Sequence, residues 1–295
     1  MITLKIPTIN DEQHDFDRLF SLWDQTNDDS LNIAFDFSSC RFLRQNAVAF
    51  IGGLARLIES RGGSAEFRWN TLQQKICTNL AQNGFLSAFG HHPSGPWCGN
   101  SIPFREDHFQ DKNVVVEYLK TQWLGREWMQ ISDRLRSEIV GNIWELYTNA
   151  FEHGQSGIGV FSCGQHYPSL HELKLTVVDF GVGLPANVRW HFRNDSSAQK
   201  LSDANCLRWA FRSGNTTKTD GIGRGVGLDL LRDFMQLNNG KLEIFSHNGY
   251  TLIDGSSEIV SNRASFFQGT LPNITLKCDE SFYHFSDEPV QNSYF

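Results

Sequence analysis

The stretch of sequence that decides the fold is residues 177–185, which read VVDFGVGLP. Its two valines are typical of a buried strand, and that strand runs directly into Asp179. Gly181 and Gly183 follow, and glycine lets a backbone approach a flat ligand closely. The Asp179 carboxylate can accept a hydrogen bond from an exocyclic amine such as that of adenine. The stretch therefore predicts either a strand that ends at a ligand-binding turn or a plain strand-to-turn junction.

A long amphipathic helix is predicted before this strand, with Ser132 as its N-cap and Gly154 just beyond its end. Within it, Glu145, Asn149 and His153 are four residues apart, which places them along one helix face. A carboxylate and an amide oxygen one turn apart can share a Mg²⁺ ion and its waters. The carboxylate can also orient a water as a general base. A polar helix face that is only solvated is the alternative.

A glycine-rich loop is predicted at residues 221–228, GIGRGVGL, where every second residue is a glycine. Its amides can surround phosphates, and the helical pattern of DLLRDFMQL follows it, so that a helix N-terminus favours anions. The loop lacks the spacing of a P-loop and does not follow a strand in a βαβ unit, so it does not indicate a dinucleotide fold. The candidate phosphate-binding residues are Gly221, Gly223, Arg224, Gly225 and Gly227.

In their order and composition, these three motifs resemble the ATP site of the GHKL superfamily, which includes gyrase, heat-shock chaperone ATPases, histidine kinases and MutL. The resemblance covers roughly residues 131–278. The helix corresponds to the N box of the family, residues 179–183 to its first glycine box, and residues 221–227 to its second. Residues 211–218 are similar to the ATP lid, and residues 268–271 to the late Gly-Thr strand that closes the nucleotide pocket.

The resemblance implies a Bergerat fold, in which helices cover one face of a mixed sheet and ATP binds in a shallow cleft. It implies that Asp179 binds adenine, Asn149 holds Mg²⁺ and Glu145 activates the attacking water. It further implies that Lys218 or Arg224 neutralises charge on the phosphates. The residues expected to bind ATP are Asn149, Asp179, Gly181, Gly183, Lys218, Gly221, Gly223, Arg224, Gly225, Gly227 and Thr270.

Glu145 separates the subfamilies, because histidine kinases typically have Asn at this position and the other members have Glu. The chain also lacks an upstream phosphoacceptor-histidine helix. Three functions stay open at this stage. The first is a Mg²⁺-dependent ATPase switch that controls a protein partner. The others are an anti-sigma-type serine/threonine kinase acting on a partner, and a nucleotide-binding scaffold without turnover; a homodimer is compatible with each.

The N-terminal region predicts an α/β domain, because strand and helix patterns alternate along it. The strands are expected at 31–37 and 64–69, and the helices at 45–60 and 71–83. Residues 36–43 resemble, more faintly, the STAS domain of anti-anti-sigma proteins. The Asp-Ser-Ser-Gly of that family is replaced by RQNA at residues 44–47, so the phosphoacceptor serine is absent. A module that only packs and a docking or sensing module are both consistent with this pattern.

The expected class is therefore α/β (α+β), with a STAS-like α/β domain followed by a Bergerat-fold α/β sandwich. We predict four segments along the chain: a STAS-like domain at 1–95, a linker and connecting helix at 96–130, a GHKL domain at 131–278 and a loosely held tail at 279–295.

Composition excludes several other classes. The chain has 295 residues, 40% hydrophobic and 20% charged, which is typical of a globular protein. A formal net charge of −7 argues against a protein that mainly grips nucleic acid. The N-terminus does not resemble a secretory signal, and no apolar run is long enough to span a bilayer. The six cysteines include no CxxC pair and suggest buried thiols. We expect a soluble cytoplasmic protein.

Overall fold

The computed structural model describes residues 1–92, 99–212, 227–255 and 257–288. It confirms the mixed α/β class, with a three-stranded sheet near the N-terminus and a five-stranded sheet after it. None of the helices in these ranges is both long enough and apolar enough to cross a bilayer.

The N-terminal region is a parallel sheet with strand order β1-β2-β3, connected by crossover helices. The strand predicted at 31–37 and the helix predicted at 45–60 are confirmed. The helix predicted at 71–83 is shorter and is followed by a second short helix after Gly84, whose φ of 79° is left-handed. The elements are β1 (Ile2–Lys5), α1 (Gln13–Asp24), β2 (Asn32–Asp36), α2 (Gln45–Ser60), β3 (Ser64–Phe67), α3 (Gln74–Gln82) and α4 (Phe85–Ala88).

The rest of the chain builds the five-stranded sheet, in the order β4-β5-β6-β8-β7. All four strand pairs are antiparallel, which differs from the mixed sheet implied by the resemblance. The elements are β4 (Ser101–Asp107), α5 (Lys112–Tyr118), α6 (Asp133–His153), β5 (Val160–Tyr167), β6 (Glu172–Asp179), α7 (Leu184–His191), α8 (Asp203–Ala210), α9 (Gly227–Leu237), β7 (Lys241–Asp254) and β8 (Ser257–Lys277).

Two segments outside the two predicted domains, the linker and the tail, are more ordered than their composition suggests. Within the predicted linker at 96–130, β4 pairs with β5 and contributes the buried Phe104. In the predicted tail, Tyr283 is buried and its backbone N–H donates to the Gln130 carbonyl at 2.9 Å. This part of the tail is therefore fixed beside the start of α6 rather than loosely held.

The long helix α6 is confirmed together with its cap. The Ser132 hydroxyl accepts a hydrogen bond from the Leu135 N–H at 3.2 Å. This bond satisfies one of the amides that a helix start leaves without a partner. Correct initiation at residue 133 sets the rotation of the whole helix, and with it the face that carries the candidate site residues.

The five-stranded sheet is covered on both faces. On one face, α6 and α9 pack over alternate strand residues, among them Leu175 and Val177. On the other face, α1 and α2 pack over aromatic side chains of the sheet region, among them Phe180 and Phe267. Alternating side chains of one strand therefore enter two different cores, as the period of a strand requires. The N-terminal region is packed against the sheet that carries the candidate site.

The two layers approach each other closely at Gly53 of α2. A Cβ atom at this position would lie 2.3 Å from the Phe180 ring and 2.7 Å from the Phe161 ring. Only a residue without a side chain allows α2 to lie this close to the sheet.

We predict that Gly53→Ala lowers the free energy of unfolding by about 1–3 kcal/mol, because the added methyl group must displace two packed rings. Urea denaturation measures this change. The matched control is Gly141→Ala in α6, where an added Cβ meets no atom within 4 Å. There the better helix propensity of alanine should raise stability by up to about 1 kcal/mol. Equal effects at the two positions would contradict the packing argument.

Candidate functional site

A cavity of about 60 Å³ lies between α6 and the sheet, at the end of β6. It brings together three residues that the sequence predicted from separate motifs: Asn149, Asp179 and Thr270. Its remaining lining is largely apolar. The other lining residues are Leu146, Ala150, Gly154, Val177, Leu184, Asn187, Ala210, Phe211, Ile244 and Pro272.

Asp179 is the most deeply buried polar residue among these three and is only 2% exposed. One carboxylate oxygen accepts a hydrogen bond from the Gly181 N–H at 2.9 Å. Thr270, its partner across the β6–β8 pair, also donates to it through side chain and backbone. Burial raises the pKa of Asp179 to about 7, and the hydrogen bonds from Gly181 and Thr270 only partly oppose this. No charged side chain of the described ranges adds to the shift.

The segment after Asp179, residues 180–184, is called the glycine turn, and it packs against protein backbone. A Cβ on Gly181 would lie 1.7 Å from the Gly154 carbonyl oxygen, and the Val182 N–H donates to that same oxygen at 2.7 Å. Gly183 has a left-handed φ of 79°. Neither Gly181 nor Gly183 lines the cavity. Gly181 allows the turn to lie against the end of α6, and Gly183 allows it to lie against Ser246 and His247 of β7. That the two glycines also admit a flat ligand stays a prediction.

Helix α6 presents one face to the cavity, and Asn149 is its polar member. Glu145 is half-buried one turn earlier and does not line the cavity. Within the described ranges, its carboxylate forms no hydrogen bond or ion pair with another side chain or with backbone. His153 ends the helix, but its side chain is not described. Asn149 and Asp179 therefore line the same cavity, whereas Glu145 lies outside its lining, one helical turn before Asn149.

Most of the predicted phosphate-binding loop lies outside the described residues. Helix α9 confirms the helical pattern of DLLRDFMQL, but it already begins at Gly227, which was predicted to lie in the loop. The other members of the predicted loop and lid set lie outside the described residues: Lys218, Gly221, Gly223, Arg224 and Gly225.

Sequence reasoning missed two residues next to the turn, Ser246 and His247 of β7. The Ser246 hydroxyl accepts from the Leu184 N–H at 2.9 Å, and His247 Nε2 lies 2.7 Å from the Val182 carbonyl oxygen. No local motif marks these residues, because their role depends on an irregularity in the pairing of β7 with β8.

The arrangement has a defined chemical capacity. A buried carboxylate that has no cationic partner within the described ranges is costly unless hydrogen-bond donors satisfy it. Asp179 can therefore hold a ligand that offers such a donor beside an apolar surface.

In comparisons with known proteins, no protein-family model matched the chain, and no curated protein was found to match it.

We predict that the contribution of Asp179 to the free energy of unfolding falls as the pH rises from about 4 to about 7. In this window the folded protein holds a proton that the unfolded chain, with the ordinary pKa of 3.8, has released. Above this pH window Asp179 is ionised in both the folded and the unfolded chain, so its contribution to the free energy of unfolding is constant. Asp179→Asn should lose this part of the pH dependence.

Urea denaturation of wild type and Asp179→Asn at several pH values between about 4 and about 8 isolates the contribution. The difference in stability between the two proteins should change through the window and level off above it. A difference that is independent of pH would show that Asp179 titrates normally.

Proposed function

We propose that this chain binds ATP in the cavity around Asp179 and acts as a Mg²⁺-dependent ATPase switch that controls a protein partner, in the manner of the GHKL superfamily. One observation carries the proposal. Asn149, Asp179 and Thr270 come from three motifs far apart in the sequence, and they line one cavity. The control of a partner protein rests on the resemblance.

The environment of Asp179 supports an adenine ligand. The exocyclic amine of adenine is a neutral donor, which suits a buried carboxylate that has no cationic partner within the described ranges. The apolar side chains of Leu146, Val177 and Ile244 suit the faces of a purine ring. A cavity of about 60 Å³ has room for a few waters rather than a purine. Binding of a purine therefore requires the residues that line the cavity to move outward.

The residues present fit a magnesium ion held mainly by the nucleotide. The described ranges contain no cluster of three or more acidic, histidine or cysteine side chains that could hold a metal alone. Mg²⁺ usually binds one or two protein oxygens, phosphates and waters, and the Asn149 amide oxygen can provide such a ligand. Bound MgATP supplies a transferable γ-phosphoryl group. Glu145, one turn before Asn149, would orient a water and take its proton.

We predict that Asp179→Ala weakens ATP binding by a factor of about 5–150. The substitution removes the acceptor for the adenine amine and leaves a desolvated donor, at a cost of roughly 1–3 kcal/mol. Isothermal titration calorimetry of ATP with wild type and variant measures the change, and circular dichroism checks that the fold is intact. Unchanged affinity in a folded variant would overturn the adenine assignment, and absence of binding in wild type would overturn the proposed function.

We predict that Glu145→Gln keeps ATP affinity and loses turnover, by a factor typically of about 10²–10⁴ for a general base. Incubation with γ-labelled ATP, with and without candidate partners, measures it. Release of free phosphate supports the ATPase switch, and labelling of a partner supports the kinase. The absence of both products supports a nucleotide-binding scaffold. The control is Glu138→Gln on the same helix, which is exposed and should retain activity. Full activity of Glu145→Gln would remove Glu145 from the mechanism.

A further inference from the structure

Strand β7 is irregular where it passes the glycine turn. Its pairing with β8 shifts in register on both sides of His247, and His247 has a left-handed φ of 54°. In a regular strand, successive side chains point to opposite faces of the sheet. Here Ser246 and His247 follow one another and both reach the glycine turn. The irregularity therefore directs two polar side chains to one place.

Ser246 joins three segments of the candidate site. It is fully buried, and its hydroxyl accepts from the Leu184 N–H at 2.9 Å, at the first residue of α7. The same hydroxyl donates to the Gly269 carbonyl at 2.6 Å and lies 3.3 Å from the Thr270 hydroxyl. Thr270 in turn donates to Asp179. One side chain thus ties the turn after Asp179 to the strand beside Asp179.

His247 holds the same turn from the next position. Its Nε2 lies 2.7 Å from the Val182 carbonyl oxygen, and a carbonyl can only accept, so Nε2 carries the hydrogen. Between the two contacts lies Gly183, where a Cβ would come within 2.8 Å of the His247 ring and 2.9 Å of the Ser246 hydroxyl. The turn and β7 therefore lie in direct contact.

The irregular segment of β7 is itself fixed. The Asn248 N–H donates to a carboxylate oxygen of Asp203 at 3.0 Å, and the other Asp203 oxygen lies 2.6 Å from the Arg189 guanidinium. Arg189 belongs to α7 and Asp203 to α8. The segment is thus fastened to both helices that follow the glycine turn, which gives it a rigid base.

We propose that Ser246 and His247 are positioning residues that clamp the glycine turn, residues 180–184, against β7 and so hold the Asp179 carboxylate in position for its ligand. The proposal rests on the proposed function for the identity of that ligand, ATP. A carboxylate that is already held in position binds its ligand more tightly, because less ordering remains to be done on binding. A merely structural role would change global stability without a selective effect on the turn or on ligand affinity.

The first test compares Ser246→Ala with Ser162→Ala, which removes an equally buried hydroxyl on β5 that does not line the cavity. Amide hydrogen exchange of the full chain, without ligand, should be at least about tenfold faster at Leu184 in Ser246→Ala, because that amide loses its acceptor. ATP affinity by calorimetry should weaken by about tenfold, the equivalent of one hydrogen bond. Ser162→Ala should show neither effect.

The second test compares His247→Asn with His171→Asn. Both histidines have a left-handed φ, of 54° and 51°, and asparagine tolerates this conformation, so the backbone is kept while the ring is lost. His171 lies outside the cavity lining and serves as the control. His247→Asn should speed exchange in residues 181–184 and weaken ATP binding, whereas His171→Asn should not.

The outcomes separate this inference from the proposed function. Unchanged exchange in residues 181–184 of both site variants overturns the clamp. Faster exchange with unchanged ATP affinity overturns its positioning role. A wild-type protein that does not bind ATP overturns the proposed function, and the exchange data alone then decide whether the clamp exists. Selective loss of both protection and affinity supports it.

Discussion

The buried carboxylate of Asp179 is the constraint on which the rest of the site depends. Removing a carboxylate from water is costly unless donors replace the lost solvation. The Gly181 N–H and Thr270 are those donors, and each fixes a different segment beside Asp179. Gly181 must be glycine, because any Cβ there would overlap the Gly154 carbonyl oxygen. Satisfying one carboxylate therefore sets the relative positions of the end of α6, the turn and β8.

Adjacent residues connect this site to the opposite layer of the molecule. Asp179 lines the cavity, whereas Phe180 packs into the aromatic core formed with the N-terminal region. The centroid of the Phe180 ring lies 5.3 Å from that of Phe50 in α2 and 5.5 Å from that of Phe267 in β8. The cavity and the inter-layer core are therefore built on the same turn, and packing of α2 against the sheet supports the position of Asp179.

Under the proposed function, the raised pKa of Asp179 reflects a compromise between stability and binding. A group that prefers to be neutral when folded makes the ligand-free protein less stable near neutral pH. Binding sites often retain such costs, because the interaction with a ligand offsets them. Under the proposed function, the amine of ATP would provide that interaction. The largely apolar lining around Asp179 both raises its pKa and suits a purine, so one environment accounts for both properties.

By itself, the sequence determined the elements whose signals are local. The periodicity of residues 45–60, the Ser132 cap of α6 and the strand that runs into Asp179 were all predictable. The local motifs singled out Asn149 and Asp179, and the resemblance to the GHKL superfamily added Thr270. The tertiary structure alone decided the pairing of β4 with β5, the packing of Tyr283 and the clamp by Ser246 and His247. Local periodicity records which face of an element is apolar. Residues far apart in the chain set the register of a strand and its partners. They also set which atoms lie beside a glycine, because these residues meet only when the sheet is assembled.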